Sequence, residues 1–296
     1  MKTIDLHELS PVEKQQWLQH AIAPRPICFA STIDKEGNVN LSPFSFFNLF
    51  STNPAVVIFS PSRRVRDNTT KHTLQNVLEV PEVVINMVDY DMVQQASLAS
   101  CEYPKNENEF TKAGFTMQPA TIVKPPMVQQ AKVKFECKVL EVKSLGNEGG
   151  AGNLVIAEVV RMHVEENILG ENGKIDQTKF NLVARLGGDW YCKVDASNLF
   201  LVEKPNTKLG IGVDALPDNI KNSKILSGNN LGQLANVHDA PVIDPAFEDD
   251  KLKNIFQYYS LSPDEMEHEI HLYAKELLNE GKVKEAWQVL LSTATL

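Results

Sequence analysis

The stretch Asn40–Asn48, with the sequence NLSPFSFFN, alternates small polar side chains with aromatic ones. Hydroxyl and amide groups need hydrogen-bond partners when they are buried. A planar ligand rich in oxygen and nitrogen would supply those partners, and the phenylalanine rings would form its apolar walls. The alternative is a core strand whose Ser and Asn side chains bond to neighbouring backbone. The residues alone leave both interpretations open, and they make a flat cofactor the first ligand to test.

A second group of residues has the chemistry of an anion site. Ser60, Arg63 and Arg64 follow an apolar, strand-like run, and Lys71 and Thr73 lie at the start of the next helix pattern. Hydroxyls, cationic side chains and the free amides of a helix N-terminus together bind phosphate. The simpler interpretation is a solvated basic loop. Because three elements converge near one strand end, the pattern favours phosphate binding.

Two glycine-rich segments are candidate ligand loops. The segment 149–152, GGAG, precedes a strand pattern and not a helix, so it predicts a hairpin turn rather than a dinucleotide-binding loop. Gly187 and Gly188 predict a tight turn with a close approach of the backbone. The alternative for this turn is a ligand-facing loop with Arg185 at the rim of the site.

No set of residues predicts metal or acid–base chemistry. His268 and His271 are close in sequence, but their helix pattern is acidic and amphipathic, which favours a solvated face over a metal site. The four cysteines are scattered without a C-x-x-C pair, and we expect reduced thiols. No Ser-His-Asp or Cys-His set can be singled out. We predict no metal site and no catalytic acid or base.

The elements that must position these groups are mainly strands as far as about residue 200. Ser10 before Pro11, with Glu13 behind it, predicts a capped helix over 11–20. Strand patterns cover 27–32, 39–42, 55–60, 83–88, 131–142 and 154–164, and helix patterns cover 70–80 and 89–100. Antiparallel strands with a few inserted helices indicate a mainly β fold, a β-barrel rather than a βαβ sheet.

The character of the chain changes near residue 200. Residues 204–245 are rich in turn residues and proline, and helix patterns follow at 248–259, at 263–281 with Ser262 as N-cap, and at 283–291. We predict a β domain over 1–200 and, over 201–296, a turn-rich linker with a helical C-terminal extension. A single helix pair cannot stack into a repeat array, so we expect a helical cap.

The composition limits the functional classes. A net charge of −9 over 296 residues argues against a nucleic-acid-binding surface, although not against a local basic pocket. The N-terminus lacks an apolar signal core, and no run is long enough to span a membrane. We expect a cytoplasmic protein that binds neither nucleic acid nor membrane.

Several motifs, in order along the chain, resemble the flavin reductase-like, FMN-binding split-barrel family. They are PRPI at 24–27, STID at 31–34, NLSPFSFFN at 40–48, K-x-T-L-x-N at 71–76, E-F-x-x-A-G-F at 109–115, GKID at 173–176 and ARLGG at 184–188. His72 departs from the acidic residue that many relatives carry. The last hundred residues or so extend beyond the simpler members of the family.

The resemblance implies a split β-barrel of Greek-key character that binds FMN non-covalently and forms a homodimer. It implies that the segment matching Ser42–Asn48 runs along the isoalloxazine ring, largely through backbone contacts, and that Ser60, Arg63 or Arg64, Lys71 and Thr73 hold the phosphate. The predicted cofactor-binding residues are Thr32, Ser42, Pro43, Phe44, Ser45, Phe46, Asn48, Ser60, Arg63, Arg64, Lys71, Thr73 and Arg185.

The implied function is that of an FMN-dependent oxidoreductase of flavin reductase type, in which NAD(P)H gives hydride to the flavin. The same pocket fits an FMN-binding, flavoredoxin-like electron carrier that exchanges electrons with a protein partner and does not turn over nicotinamide. A third possibility is an interaction module whose helical tail is the working part. The identity of the electron donor and acceptor does not follow from the sequence.

Overall fold

The computed structural model describes residues 1–105, 107–202, 204 and 209–292. The chain divides into two compact units, Met1–Phe200 and Leu201–Leu296. Part of the turn-rich segment predicted at 204–245, including Pro205, lies outside the described residues.

The first unit is built around a seven-stranded sheet in which all neighbouring strands pair antiparallel. Its strand order is β3-β2-β6-β9-β10-β5-β4, so β3 and β4 form its edges; β1, β11 and β12 form a second sheet, and β7 pairs with β8. The strands are β1 (Arg25–Pro26), β2 (Cys28–Ile33), β3 (Val39–Phe44), β4 (Phe47–Thr52), β5 (Ala55–Phe59), β6 (Glu82–Met87), β7 (Met117–Gln118), β8 (Met127–Val128), β9 (Val133–Ser144), β10 (Asn153–Val164), β11 (Val183–Arg185) and β12 (Tyr191–Lys193).

The predicted strands of the first unit are confirmed, with small shifts of their ends. The long hairpin predicted at 131–164 is the pair β9–β10, which carries two register shifts. The polar–aromatic stretch 40–48 does not form one strand. It is shared between β3 and β4, and Ser45 and Phe46 form the bend between them.

In the described part of this unit, four α-helices accompany the sheet: α1 (Pro11–Ala21), α2 (His72–Glu79), α3 (Val93–Leu98) and α4 (Glu109–Ala113). The predicted capping box of α1 is present, since Ser10 and Glu13 each bind the other's backbone amide. No side chain of α1 is buried, so the helix lies on the surface of the unit. A short 3-10 turn precedes α3 within the predicted helix 89–100, and α4 was not predicted.

Strand β2 has both of its faces covered, which explains why its residues are buried one after another from Cys28 to Thr32. Phe29 packs into one cluster of buried side chains with Phe110 of α4. Cys28 and Ala30 point to the opposite cluster, which includes Phe59. Alternate residues of a strand point to opposite faces, so a strand buried on both sides shows no polar alternation.

The second unit is helical in the part that the structure describes. Its helices are α5 (Asp218–Lys221), α6 (Gly228–Ala235), α7 (Asp250–Tyr258), α8 (Pro263–Asn279) and α9 (Val283–Leu291). The last three confirm the predicted helices, whereas α5 and α6 lie in the stretch expected to consist of turns. The core includes Trp287, whose Nε1 donates to the carbonyl of Leu234 at 3.1 Å.

Ser262 is the N-cap of α8 as predicted, and the expectation of a solvated His271 is wrong. Helix α8 begins after Ser262, but the Ser262 side chain makes no capping hydrogen bond. His271 is buried rather than solvated, and its Nδ1 lies 2.7 Å from Oγ of Ser223. His268 stays exposed, so the two histidines differ in their surroundings although they lie on one helix.

None of the helices in the described part of the chain is both long enough and apolar enough to cross a membrane.

Candidate functional site

A cavity of about 730 Å³ opens on the surface of the first unit, and it brings together eight of the thirteen predicted cofactor-binding residues. They are Pro43, Phe44, Ser45, Phe46, Ser60, Arg63, Arg64 and Lys71. The two clusters that the sequence presented separately, one aromatic and one anion-binding, are therefore walls of the same cavity.

The aromatic wall is fixed by the end of β3 and the bend that follows it. Phe44 is buried, and its ring centroid lies 5.2 Å from that of Phe59 on β5. The backbone amide of Ser60 donates to the carbonyl of Phe46 at 2.9 Å, so β5 holds the bend in place. An aromatic wall of this kind suits a flat ring.

The basic loop that follows β5 is held against the turn of the β9–β10 hairpin. The amide of Arg63 donates to the carbonyl of Ala151 at 2.8 Å, and the amide of Gly150 donates to the carbonyl of Arg63 at 3.0 Å. A Cβ atom on Gly149 would lie 3.0 Å from the carbonyl oxygen of Val65, so this position needs glycine for the close approach. The predicted hairpin turn is confirmed, and it also lines the cavity.

The side chains of the two arginines are partly engaged within their own loop. Arg63 donates from Nε to Oδ1 of Asn68 at 2.6 Å. Arg64 pairs with Glu102 at 3.0 Å and donates to Oγ1 of Thr69 at 2.9 Å. These contacts hold both guanidinium groups at the cavity, where they supply positive charge as well as structure.

Lys71 lies immediately before α2, with its Nζ 5.3 Å from the centroid of the Phe44 ring. Burial, and then the charge of Arg64, lower the pKa of Lys71, while Glu102 acts in the opposite direction. Within the described residues, Lys71 is not part of any ion pair. A half-buried ammonium beside a helix N-terminus and without a carboxylate partner is suited to an anionic ligand.

Five basic side chains, but no acidic one, line this cavity among the described residues: Lys14, Arg25, Arg63, Arg64 and Lys71. The chain as a whole carries a net charge of −9, so the positive lining is a local feature of the site. A concave surface lined by one sign of charge concentrates ligands of the opposite sign.

The other predicted residues do not line the cavity. Thr32 and Thr73 are buried and engaged: Oγ1 of Thr32 accepts from Asn76 at 3.2 Å, and Oγ1 of Thr73 donates to Asn40 at 2.6 Å. The remaining three are Ser42 on β3, Asn48 on β4 and Arg185 on β11. Arg185 stacks on the Tyr191 ring at 4.5 Å and donates to the carbonyl of Gly188.

The Gly187–Gly188 turn is tight, as predicted. Gly188 has a positive φ of 58°, and a Cβ atom on Gly187 would lie 2.3 Å from the ring of His20. A side chain at Gly187 would therefore have to displace the His20 ring.

A buried network ties three elements together beneath the site. Glu109 on α4 accepts from Nδ2 of Asn40 at 2.7 Å and from the amide of Leu41 at 3.0 Å. Asn40 in turn accepts from Thr73 on α2. Burial raises the pKa of Glu109, while these hydrogen bonds lower it. The network fixes the start of α2, which carries Lys71, relative to β3, which carries Phe44.

The sequence analysis missed one wall of the cavity, which α1 provides. Lys14 and Leu18 line the cavity from this helix, and Arg25 lines it from β1. Arg25 belongs to the PRPI motif, which was a usable signal. The role of α1 had no such signal, because its apolar residues do not form a stripe that predicts burial on one side.

The model of the family described as flavin reductase like domain matches residues 20–179. The chain belongs to this flavin reductase-like family. A protein of Aquifex aeolicus is 39% identical over 172 residues, which cover 58% of this chain and 85% of that protein. A protein of Halalkalibacterium halodurans is 34% identical over 199 residues, covering 67% and 93%.

Solved structures share the architecture of the first unit of this flavin reductase-like protein. Nitrilotriacetate monooxygenase component B from Bacillus cereus is 29% identical with a TM-score of 0.62, covering 69% of this chain and 97% of that one. A protein with a split barrel domain from Shewanella frigidimarina is 25% identical with a TM-score of 0.57, covering 67% and 94%. Each match covers nearly the whole length of the related structure, whereas about a third of the present chain lies outside it.

Proposed function

We propose that this protein is an FMN-binding oxidoreductase of flavin reductase type that takes hydride from NAD(P)H. The observation that carries the proposal is the cavity: an aromatic wall and five basic side chains meet there, in a member of the flavin reductase-like family. The antiparallel sheet of the first unit would then be the split barrel of this family.

Different residues of the cavity would bind the phosphate and the ring of FMN. Lys71, Arg64 and Ser60 would hold the phosphate, with the N-terminus of α2 adding its free amides. The bend 43–46 would lie along the ring, with Phe44 as an apolar surface. When bound, the flavin supplies the hydride acceptor. The protein's residues supply position, positive charge and exclusion of water.

This division fits the kinds of side chain that line the cavity. Its titratable groups, in the described part of the chain, are those of lysine and arginine, and no histidine or carboxylate lines it. Ammonium and guanidinium groups donate hydrogen bonds and bind negative charge, so this lining suits an anionic ligand. A cofactor that carries the chemistry itself needs no more than this.

The absorption spectrum of the purified protein, followed by anaerobic titration with NADH and with NADPH, tests the proposal. We expect a yellow protein, or stoichiometric uptake of added FMN, and bleaching of the flavin by one of the two nicotinamides. A colourless protein that does not take up FMN would refute flavin binding altogether.

An FMN-binding electron carrier is the second candidate, since the same lining would serve a flavin that receives electrons from a protein. In that case the bound flavin stays oxidised with both nicotinamides but is bleached by a reduced ferredoxin. The titration above therefore separates the two functions without a further variant.

We also propose that the protein forms a homodimer. Strand β4 is an edge of the large sheet, and its exposed side chains include Leu49 and Phe50, which are 57% and 64% exposed. Phe46, in the bend before β4, lines the cavity and is 45% exposed. Apolar side chains on an edge strand beside a ligand site are suited to contact with a second copy.

A further inference from the structure

The wall on the α1 side of the cavity includes two cationic and two apolar residues: Lys14, Arg25, Leu18 and Ile22. We call these residues the α1 wall. None of them belongs to the group that would hold the FMN phosphate, and two of them are cationic.

Arg25 is 6% exposed and is held by backbone carbonyls. Its Nη1 donates to the carbonyls of Gln19 and Ile22, and its Nη2 donates to that of Leu186 at 2.8 Å. A guanidinium has five N–H groups, so the Nε hydrogen and one Nη2 hydrogen remain. Nε is buried without a partner in the structure. These two nitrogens form the edge of the guanidinium that binds carboxylate or phosphate oxygens as a pair.

No carboxylate neutralises Arg25 among the described residues. Its neighbour across the β1–β11 pairing is Arg185, another cation, and Asp189 lies against Arg185 at 3.7 Å. Burial, and then the charge of Arg185, lower the pKa of Arg25. An uncompensated buried charge is costly for the folded protein, and an anionic ligand would offset that cost.

Lys14 provides the second charge of the α1 wall. It is half-buried on α1, and within the described residues it forms no ion pair. Between Lys14 and Arg25 lie Leu18 and Ile22, which are 42% and 62% exposed although they line the cavity. The α1 wall thus offers an apolar surface between two positive charges.

The two charges lie at opposite ends of α1. Pro11, in the first turn, lies next to Gly150 of the β9–β10 hairpin, which holds the basic loop that contains Arg63 and Arg64. The Cβ of Pro11 is 3.7 Å from the position that a Cβ atom on Gly150 would take. Arg25 binds the last turn. A helix of 11 residues is about 16 Å long. Since the basic loop lies near the first turn and Arg25 binds the last one, Arg25 lies well away from the basic loop.

We propose that the α1 wall binds an organic anion, the substrate that exchanges electrons with the flavin, through its carboxylate or phosphate oxygens. The inference rests on the proposed function, because it places this substrate in the cavity that would hold FMN. One phosphate monoester carries at most two negative charges, fewer than the four basic side chains of the cavity that pair with no carboxylate among the described residues. The positive charge of the α1 wall is therefore available to a second anion.

Calorimetric titration of the full-length, FMN-loaded protein with benzoate, with ADP and with benzamide tests the proposal. Benzoate probes a carboxylate substrate and ADP a phosphate-bearing one, whereas benzamide has the ring of benzoate without its charge. We expect benzoate or ADP to bind, and benzamide to bind at least about tenfold more weakly than the better of the two.

The variants Lys14→Glu and Arg25→Lys test whether the anion binds at the α1 wall. Lys143→Glu, on the exposed end of β9, is the matched control. Lys14→Glu and Arg25→Lys are expected to weaken anion binding at least about tenfold, and Lys143→Glu to leave it unchanged. If Arg25→Lys does not fold, Lys14→Glu and the benzamide comparison still decide the question.

Three results would overturn the inference: no binding of either anion, equal binding by Lys14→Glu and Lys143→Glu, or equal affinity for benzamide. Loss of FMN by Lys14→Glu would also overturn it, since Lys14 would then belong to the phosphate group. Visible absorbance reports FMN separately from calorimetry. A protein that binds the anions but never takes up FMN would refute the proposed function, not the anion site.

Discussion

Lys71 and Arg25 both place a positive charge at a cavity in a chain whose net charge is −9, but they do so in different ways. Lys71 is half-buried beside an aromatic ring and forms no ion pair among the described residues. Arg25 is buried and anchored by three backbone carbonyls. The first can follow a ligand with a flexible chain, while the second offers a fixed edge.

Lys71→Ala tests the phosphate site at this scale. We expect the dissociation constant for FMN to rise about ten- to hundredfold, because one charge-assisted contact to phosphate is worth about 1.5–3 kcal/mol. Fluorescence quenching of FMN on titration with protein measures the change. Lys143→Ala, an exposed lysine far along the sequence on β9, is the control. Equal FMN affinity of the two variants would move the phosphate away from Lys71.

Glu136 on β9 governs stability rather than the site. Burial acts to raise its pKa, but hydrogen bonds from Thr121, from His163 and from the backbone amides of Thr121 and Ile122 lower it to about 2. Because the folded pKa lies below the unfolded value, the carboxylate stabilises the fold above about pH 4.5 and loses this effect as the pH falls toward 2.

Glu136→Gln should therefore lower the free energy of unfolding by about 3 kcal/mol at pH 7 and by clearly less at pH 3. Urea unfolding at the two pH values measures this. Glu141→Gln, an exposed position on the same strand, should change stability by less than about 0.5 kcal/mol. A loss that is the same at pH 3 as at pH 7 would exclude ionisation of Glu136 as the cause.

At the scale of elements, the site depends on how α2, β3 and α4 are joined. Glu109, Asn40 and Thr73 form one buried chain of hydrogen bonds across these three elements. The hydroxyl of Thr73 donates to Asn40, so its contribution to a phosphate would come from the position of α2 as well as from its own oxygen. Buried polar networks of this kind fix a unique arrangement when every member is satisfied.

Glu109→Gln replaces an acceptor by a donor opposite the amide of Leu41 and Nδ2 of Asn40. We expect the free energy of unfolding to fall by about 1–3 kcal/mol and the affinity for FMN to fall with it. Thermal unfolding with and without FMN gives both quantities. Glu107→Gln, a partly exposed position on the turn before α4 whose carboxylate pairs with Lys112 at 3.0 Å, provides the comparison. If both variants melt alike, the network does not position α2.

At the scale of the whole molecule, two units with separate cores lie on one chain. The core of the second unit is drawn from residues beyond 210, whereas the clusters of the first come from 27–183. The second unit is also the more acidic, with fifteen acidic and nine basic residues in 201–296. The family match covers only the first unit.

A chain ending at Phe200 should fold and bind FMN with an affinity within about threefold of the full-length protein, because its core and cavity are drawn from residues up to 200. Circular dichroism and FMN titration check this. Aggregation of the shortened chain, or loss of FMN binding, would mean that the helical unit supports the site.

The proposed homodimer makes a prediction for β4. Light scattering should give about twice the chain mass of 33.0 kDa for the natural sequence. Phe50→Asp should shift the protein toward the monomer, because it places a charge on the exposed apolar edge. Leu98→Asp changes a similarly exposed apolar residue on α3 and should leave the mass unchanged. A monomeric natural protein would refute the dimer.

The sequence by itself determined the features that depend on near neighbours. The strands, the capped start of α1, the β9–β10 hairpin and the last three helices follow from periodicity, capping and turn residues. The polar–aromatic stretch and the basic loop predicted a ligand site from adjacent residues alone. The motifs, in order along the chain, indicated the family. Each motif is a run of adjacent residues, so it can be recognised without knowledge of the fold.

Only the tertiary structure decided which of these residues meet. In the structure, Thr73 donates to Asn40, and His271 is buried beside Ser223. Helix α1 and Arg25 line the same cavity as Lys71. Such contacts join residues far apart in sequence, and they depend on sheet register and on the packing of helices onto it. Local propensity does not encode them, because hydrogen bonds and charges act over a few ångströms in space, whatever the separation along the chain.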